Sequence, residues 1–339
     1  MSKRDDPLRL LAQALRGGLP APGEWQSVVE LASRGWLVPA LHLAMERSGH
    51  LAAVPREVRD YLELLHDRNR QRNARLRAQL TEAVAAFNDA GIRPVLMKGA
   101  IHLFTGPEQA LGARISSDLD LAIAPDEFDH AVLALQGLGY RQNGEREFGR
   151  EQDAGEIELH MGPSDRSAKY LKGDLRHYSK AAERSGATAL IPSATAQALH
   201  LIVHDMIKEG DYWRLRLDLR HLHDLAELAS RPDGVDWLRL TDMMPDKVGR
   251  RAVAMQAAAL RDLYAIEIPA DLGLANGALV RHRFRKMATT LGTGGAMARL
   301  AGNLSWGTRR MLRGMITIDM SLIGRGARYF TTPAKGSRV

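Results

Sequence analysis

Two aspartates, Asp118 and Asp120, stand two residues apart in the run Arg114-Ile-Ser-Ser-Asp118-Leu-Asp120-Leu-Ala-Ile123. Apolar residues alternate with them. The run therefore predicts a short strand with Leu119 and Leu121 facing a core and both carboxylates on the other face. Thirty-eight residues after Asp120, Glu156-Ile-Glu158-Leu-His160 repeats the alternation. Carboxylates converging from two neighbouring strands are hard oxygen ligands, suited to Mg²⁺ or Mn²⁺ rather than zinc. Such a trio can hold two metals that clamp the attacking and leaving oxygens of an in-line displacement at phosphorus. In that reading Asp118 and Asp120 bridge metal and triphosphate. Glu158 holds the metal that activates an acceptor hydroxyl and helps take its proton. Packed this closely, the acids repel one another unless a cation is present.

The elements around these acids must also deliver a phosphate cradle. Arg93-Pro-Val-Leu-Met97 reads as a short strand. Lys98-Gly99-Ala100 then starts a helix whose unpaired backbone N–H groups suit a triphosphate. Gly99 allows close approach, Lys98 or Arg114 neutralises phosphate charge, and Ser116 and Ser117 stand next to the acids. Upstream, Pro55 opens a long helix to about Ala90, with Leu62, Leu65, Leu76, Leu80, Val84 and Phe87 at helical spacing and Gly91 as its stop. Asn69 and Asn73 fall on that stripe, so the helix either crosses solvent there or passes the mouth of a polar site. Pro125-Asp126 starts a helix ended by Gly137 and Gly139, and Tyr140 begins another extended stretch. Ser193 caps a further helix, and residues 215–228 and 253–263 form two more. The expected fold is α+β: an N-terminal helical region (1–92), a small mixed-sheet core (93–192), a C-terminal helical domain (193–290) and a basic tail (291–339).

Composition narrows the class. Cysteine is absent, which excludes disulfides, thiolate metal sites and cysteine nucleophiles. No uncharged apolar run reaches about 18 residues and no secretory signal opens the chain, so the expectation is a cytoplasmic protein without a transmembrane segment. The net charge of +7 is uneven: from Arg281 onward twelve Lys and Arg face one acid, Asp319, leaving −4 for the preceding residues. A basic tail suits phosphate, nucleic acid or weak contact with an anionic membrane surface. It carries no clustered aromatics for base stacking, so a nucleic-acid partner is not expected.

Several ordered motifs resemble one family. Leu96-Met-Lys98-Gly99, Arg114-x-x-x-Asp118-x-Asp120, Gly139-Tyr140 and Glu158-Leu-His160 are followed by His200-x-x-x-His204, Arg216-Leu-Asp218-Leu and Asp236-Trp237. This set, over about residues 55–265, is similar to the bacterial nucleotidyltransferase family group of the polymerase-β-like superfamily. The resemblance implies a minimal nucleotidyltransferase fold with Asp118, Asp120 and Glu158 as catalytic metal ligands. It also implies transfer of a nucleoside monophosphate from an NTP, ATP foremost, to a hydroxyl acceptor of protein, peptide or small-molecule type, with pyrophosphate released. Many superfamily members carry Gly-Ser where this chain has Lys98-Gly99, so a serine contact to phosphate there is not implied. The alternatives are a kinase-like phosphotransferase on the same fold and a non-catalytic, antitoxin-like nucleotide-binding module.

Accessory residues carry two readings each. His160 either touches metal, phosphate or acceptor, or orients an acid. His200 and His204, one helical turn apart, either chelate a metal or pack and pair with acids. Asp218 is either a buried acid paired with Arg214, Arg220 or His204, or an acceptor-facing group. His221 and His223 read as surface residues.

Overall fold

Alternating apolar residues build a seven-stranded sheet among the described residues, which in this computed structural model are 6–162, 169–171, 174–272, 274 and 276–289. The strands are β1 (Val95–Leu96), β2 (Leu119–Ala122), β3 (Arg141–Gln142), β4 (Glu147–Gly149), β5 (Ile157–His160), β6 (Ser179–Arg184) and β7 (Ala187–Pro192). Their spatial order is β3-β4-β5-β2-β1-β7-β6. β2 runs parallel to β5 and antiparallel to β1, which is parallel to β7. The α+β class expected from sequence is the class observed. β3, β4, β6 and β7 add detail the sequence pattern left as extended or polar stretches. β3 is exposed throughout and β6 lacks regular alternation of burial, so neither carries a clear two-residue period.

Helices flank this sheet. α1 (Pro7–Leu15), α2 (Trp25–Arg34), α3 (Val38–Arg47) and the long α4 (Arg56–Asp89) precede it, while α5 (Lys98–Thr105) and α6 (Phe128–Gly137) interleave with its strands. After it come α7 (Ala194–Ile202), α8 (Asp211–Arg214), α9 (Leu219–Ala229), α10 (Trp237–Asp242), α11 (Lys247–Tyr264) and α12 (Asn276–Thr289). Two large apolar cores result among the described residues, beside a small third of Ala194, Leu201 and Leu228. The first gathers α1 to α3 with the helices that follow the sheet and includes Leu62 of α4. The second packs Leu76, Leu80, Val84 and Phe87 of α4, together with α5 and α6, on the sheet. α4 therefore serves both cores.

Between them, α4 does not cross solvent, and this corrects one reading of its polar middle. Asn69 and Asn73 are buried. Asn69 Nδ2 donates to the carbonyls of Gly112 (2.7 Å) and Arg114 (3.1 Å), and Asn73 Nδ2 to those of Leu111 (2.7 Å) and Arg114 (2.8 Å). Arg72 donates to the carbonyls of Ser116, Ser117 and Ala154. The polar middle of α4 thus holds the loop that feeds β2. Asn73→Ala strips donors from two carbonyls in a site only 1% exposed. A loss of about 1–3 kcal/mol is expected, read as a lower urea midpoint. An unshifted midpoint would mean the loop is held without Asn73.

Two helix boundaries also differ from expectation. Residues 215–218 are not helical: Leu215 adopts a left-handed backbone (φ 56°), and the Asp218 carboxylate accepts from the His221 N–H at 3.0 Å as the N-cap of α9. α11 begins earlier than expected because Asp246 caps it through the Gly249 N–H (2.8 Å). No helix among the described residues is long and apolar enough to cross a membrane. The basic tail, with its expected contacts to anionic surfaces, lies outside the described residues.

Candidate active site

Parallel pairing of β2 with β5 sets Asp120 opposite Glu158 and Ala122 opposite His160. Leu119, Leu121, Ile157 and Leu159 are fully buried on the other face, as strand alternation requires. Asp120 is itself buried. Its Oδ1 accepts from Lys98 Nζ at 2.7 Å and from His160 Nε2 at 2.9 Å, and its Oδ2 is buried with no partner among the described residues. Burial opposes the charge on Asp120. The hydrogen bond from His160 and the Lys98 ammonium outweigh it, so the carboxyl stays below the usual carboxylate range. His160 Nε2 also lies 3.5 Å from Glu158 Oε1. Ligand atoms of Asp120, Glu158 and His160 fall within 4.8 Å of one another, close enough to share a metal ion.

Lys98 reaches Asp120 from the first residue of α5, where the backbone is left-handed (φ 46°). Such a conformation is costly for a residue with a Cβ and is characteristic of functional sites. Burial disfavours the Lys98 charge, but Asp120, Asp118 and Glu158 together raise its pKa above the ordinary lysine value. Packing gives a further reason for glycine at position 99. A Cβ there would lie 2.5 Å from Ser116 Oγ and 2.7 Å from Arg114 Nη1, so glycine lets the loop before β2 pack on the start of α5.

The remaining site candidates divide. Asp118 stands just before β2, half-buried, and accepts from Ser117 Oγ at 2.8 Å; it is not within the Asp120, Glu158 and His160 cluster. Ser117 is exposed and Ser116 buried. Ser116 Oγ lies 3.2 Å from Arg114 Nη1. The Arg114 guanidinium is engaged by Asp224 of α9, with Nη2 to Oδ2 at 2.9 Å and Nε at 3.1 Å from both oxygens. It lines a separate hollow behind α5. Asp218, the cap of α9, lies 3.7 Å from Arg216.

A cleft of about 380 Å³ opens beside the acids, lined by Lys98, Glu158 and His160 and by His200, His204 and Lys208. Arg146 and Arg176 add positive charge to its wall. Arg176 is paired with Glu127, and the buried Nε of Arg146 has no partner among the described residues. Both nitrogens of His200 are buried without partners, and burial and the Lys98 charge lower its pKa to about 3. His204 pairs with an acid, Asp205, its Nδ1 3.0 Å from Oδ1, and Asp205 in turn accepts from His221 Nδ1 at 2.7 Å. His221 is buried, which corrects its assignment to the surface. Asp205, His221 and Asp224 were not assigned to the site from sequence. The inward face of α9, with Leu222, Leu225 and Leu228 buried alongside His221 and Asp224, is the signal that could have found two of them.

A family model described as an uncharacterised nucleotidyltransferase matches residues 21–263. Searches of curated proteins and of solved structures each returned no match. The matched span takes in β1, β2, β5, α5, the cleft and the helices that close it. The chain belongs to this nucleotidyltransferase family.

Proposed function

We propose that this protein moves a nucleoside monophosphate from an NTP, ATP foremost, to a hydroxyl acceptor bound in the cleft, with release of pyrophosphate. The observation that carries the reading is the pairing of Asp120 with Glu158 across β2 and β5, with a buried Asp120 oxygen left without a partner. An orphaned, ionised oxygen in such a place fits a cation ligand. Oxygen donors with one adjacent imidazole suit Mg²⁺ or Mn²⁺. Asp120 and Glu158 would hold the ion, with Asp118 from the loop as a third donor. A bound divalent ion supplies charge stabilisation for the displaced phosphate oxygens and orients them.

The chain's own groups do the rest. Lys98, kept protonated by the acids, neutralises polyphosphate charge beside the N-terminal turn of α5. His160 holds Asp120 and Glu158 in register through Nε2. Arg146 and Lys208 line the cleft as further cations for an anionic ligand. Ser117 donates to Asp118 and steadies it. Arg114 and Ser116 support the site from beneath, by fixing the loop before β2.

The test is incubation with each α-labelled NTP, Mg²⁺ or Mn²⁺, and cell extract. A labelled acceptor and free pyrophosphate are expected. Release of a nucleoside diphosphate instead would replace nucleotidyl transfer by phosphoryl transfer, and NTP binding with neither product would leave a non-catalytic module.

A further inference from the structure

We infer that His204, oriented by Asp205, is the base that takes the proton from the acceptor's hydroxyl, an inference that rests on the nucleotidyl transfer proposed above. His204 lines the same cleft as Glu158, His160 and Lys98 but comes from the helical segment Val203–Lys208 rather than from the sheet. Its Nδ1 lies 3.0 Å from Asp205 Oδ1. An ionised carboxylate only accepts, so Nδ1 carries a proton, and whenever the ring is neutral its lone pair is on Nε2. The hydrogen bond and ion pair found for His204 among the described residues both run through Nδ1, and the side chain is 21% exposed. In its neutral form this cleft-lining ring therefore has an unprotonated nitrogen that can take a proton.

The other cleft imidazoles are not so placed. His160 Nε2 is taken up between Asp120 and Glu158, and both nitrogens of His200 are buried. Asp205 is built as a support. It is 3% exposed, and burial opposes its charge, yet the hydrogen bonds from His204 and His221 outweigh burial and hold it at about 2. The ring of His221 on α9 meets that of His204 edge-on at 5.8 Å, and the His200 ring lies 6.3 Å away on α7. From the cleft side the charged groups are Lys98, Glu158, Arg146, Asp174, Arg176 and Lys208.

The backbone has been altered to make this placement. α7 runs into a π-helical turn, Val203–Lys208, in which the Glu209 N–H donates to the His204 carbonyl at 2.9 Å, one residue further than an α-helix allows. Such turns are rare and gather at functional sites. Here the wide turn carries both His204 and Asp205, one open to the cleft and the other buried against α9.

The chemistry balances without a further reactant. The acceptor O–H bond breaks as its proton passes to His204 Nε2, and the freed oxygen pair forms the bond to the α-phosphorus. The bond from that phosphorus to the bridging oxygen breaks, and pyrophosphate leaves with the electron pair. The imidazolium left on His204 is stabilised by Asp205 and then returns its proton to solvent.

The test uses the full chain and compares His204→Ala, His204→Gln and Asp205→Asn with wild type, each with NTP and Mn²⁺ in the acceptor-containing extract. Two quantities are read, NTP affinity and the rate of pyrophosphate release. His204→Ala and His204→Gln are expected to keep NTP affinity within about twofold while the rate falls about 10²-fold or more, the usual scale of general-base catalysis. Free imidazole in the buffer should restore the His204→Ala rate about tenfold and leave wild type unaffected, since it replaces the lost base. Asp205→Asn should lose about tenfold in rate through misorientation. A His204→Ala rate within threefold of wild type, or a loss that imidazole does not restore, overturns the inference. Should the alanine variant fail to fold, a His204→Gln rate within threefold of wild type does the same. If wild type itself binds no NTP or releases no pyrophosphate, the transfer reaction falls, and this inference with it, before any variant is compared.

Discussion

Asp120→Asn is expected to reduce pyrophosphate release by about 10³-fold, on the scale of several kcal/mol of charge stabilisation that a held divalent ion supplies. The substitution keeps shape and removes charge. It replaces an acceptor-only carboxylate by a group whose nitrogen donates, in a place where Lys98 and His160 already donate to the same side chain. Mn²⁺-dependent NTP binding should weaken with it, and the double variant Asp118→Asn with Asp120→Asn should abolish that binding while the far-ultraviolet circular dichroism stays native. Calorimetry decides: equal NTP affinity in the double variant and wild type would remove the metal site from the mechanism. Because Asp120 has only one occupied oxygen in its buried setting, its loss should weaken ligand binding more than folding.

The second large effect falls on stability. Arg114 and Asp224 are 110 residues apart, both largely buried, and joined by three hydrogen bonds. Arg114→Met leaves the Asp224 carboxylate buried without its partner, a change expected to cost about 3–5 kcal/mol. The double variant Arg114→Met with Asp224→Leu should recover much of that loss, because no unpaired charge remains. Chemical denaturation of the two singles and the double closes the cycle. Costs below about 1 kcal/mol in the singles would mean the pair does not hold the loop before β2 to α9. The pH dependence follows from the same pair. Burial opposes the Asp224 charge, but Arg114 overcomes it and holds the folded pKa well below the usual carboxylate range. A depressed folded pKa gives stability that is fully present above the unfolded carboxylate value of about 3.9. That stability is lost as pH falls below that value toward the folded one. The Arg114→Met variant should therefore show a shallower acid loss than wild type.

Both predictions meet at one loop. Residues 111–117 are bonded from α4 by Asn69, Asn73 and Arg72, packed under α5 through Gly99, and tied to α9 by Arg114. Asp118 and Asp120 follow directly. The polar middle of α4 and the Arg114 pair thus position the acids without touching a substrate. Changes there should reach activity through the placement of β2.

How much of this was legible in the chain depended on how local the physics was. Asp120 and Glu158 could be assigned to polar strand faces because side chains alternate every two residues whatever the strand pairs with. The long helix after Pro55, the Ser193 cap and the acids' suitability for a hard cation were local in the same way. The partners were not. That β2 lies parallel to β5, with Asp120 opposite Glu158, depends on where a segment 38 residues away comes to rest. The bonds of Asn69, Asn73 and Arg72 run to carbonyls 38 to 82 residues along the chain, so a polar helix middle looked solvated. The Asp224 partner of Arg114 is 110 residues distant and so was not legible, and His221 read as exposed because the turn at Leu215 resets the face of α9.

The sequence by itself determined which side chains share a face and what ions they prefer, since both follow from backbone period and group chemistry. Tertiary structure alone decided which of them meet. Lys98 and His160 come to Asp120, and His204 to the same cleft, through packing between segments that no local pattern links.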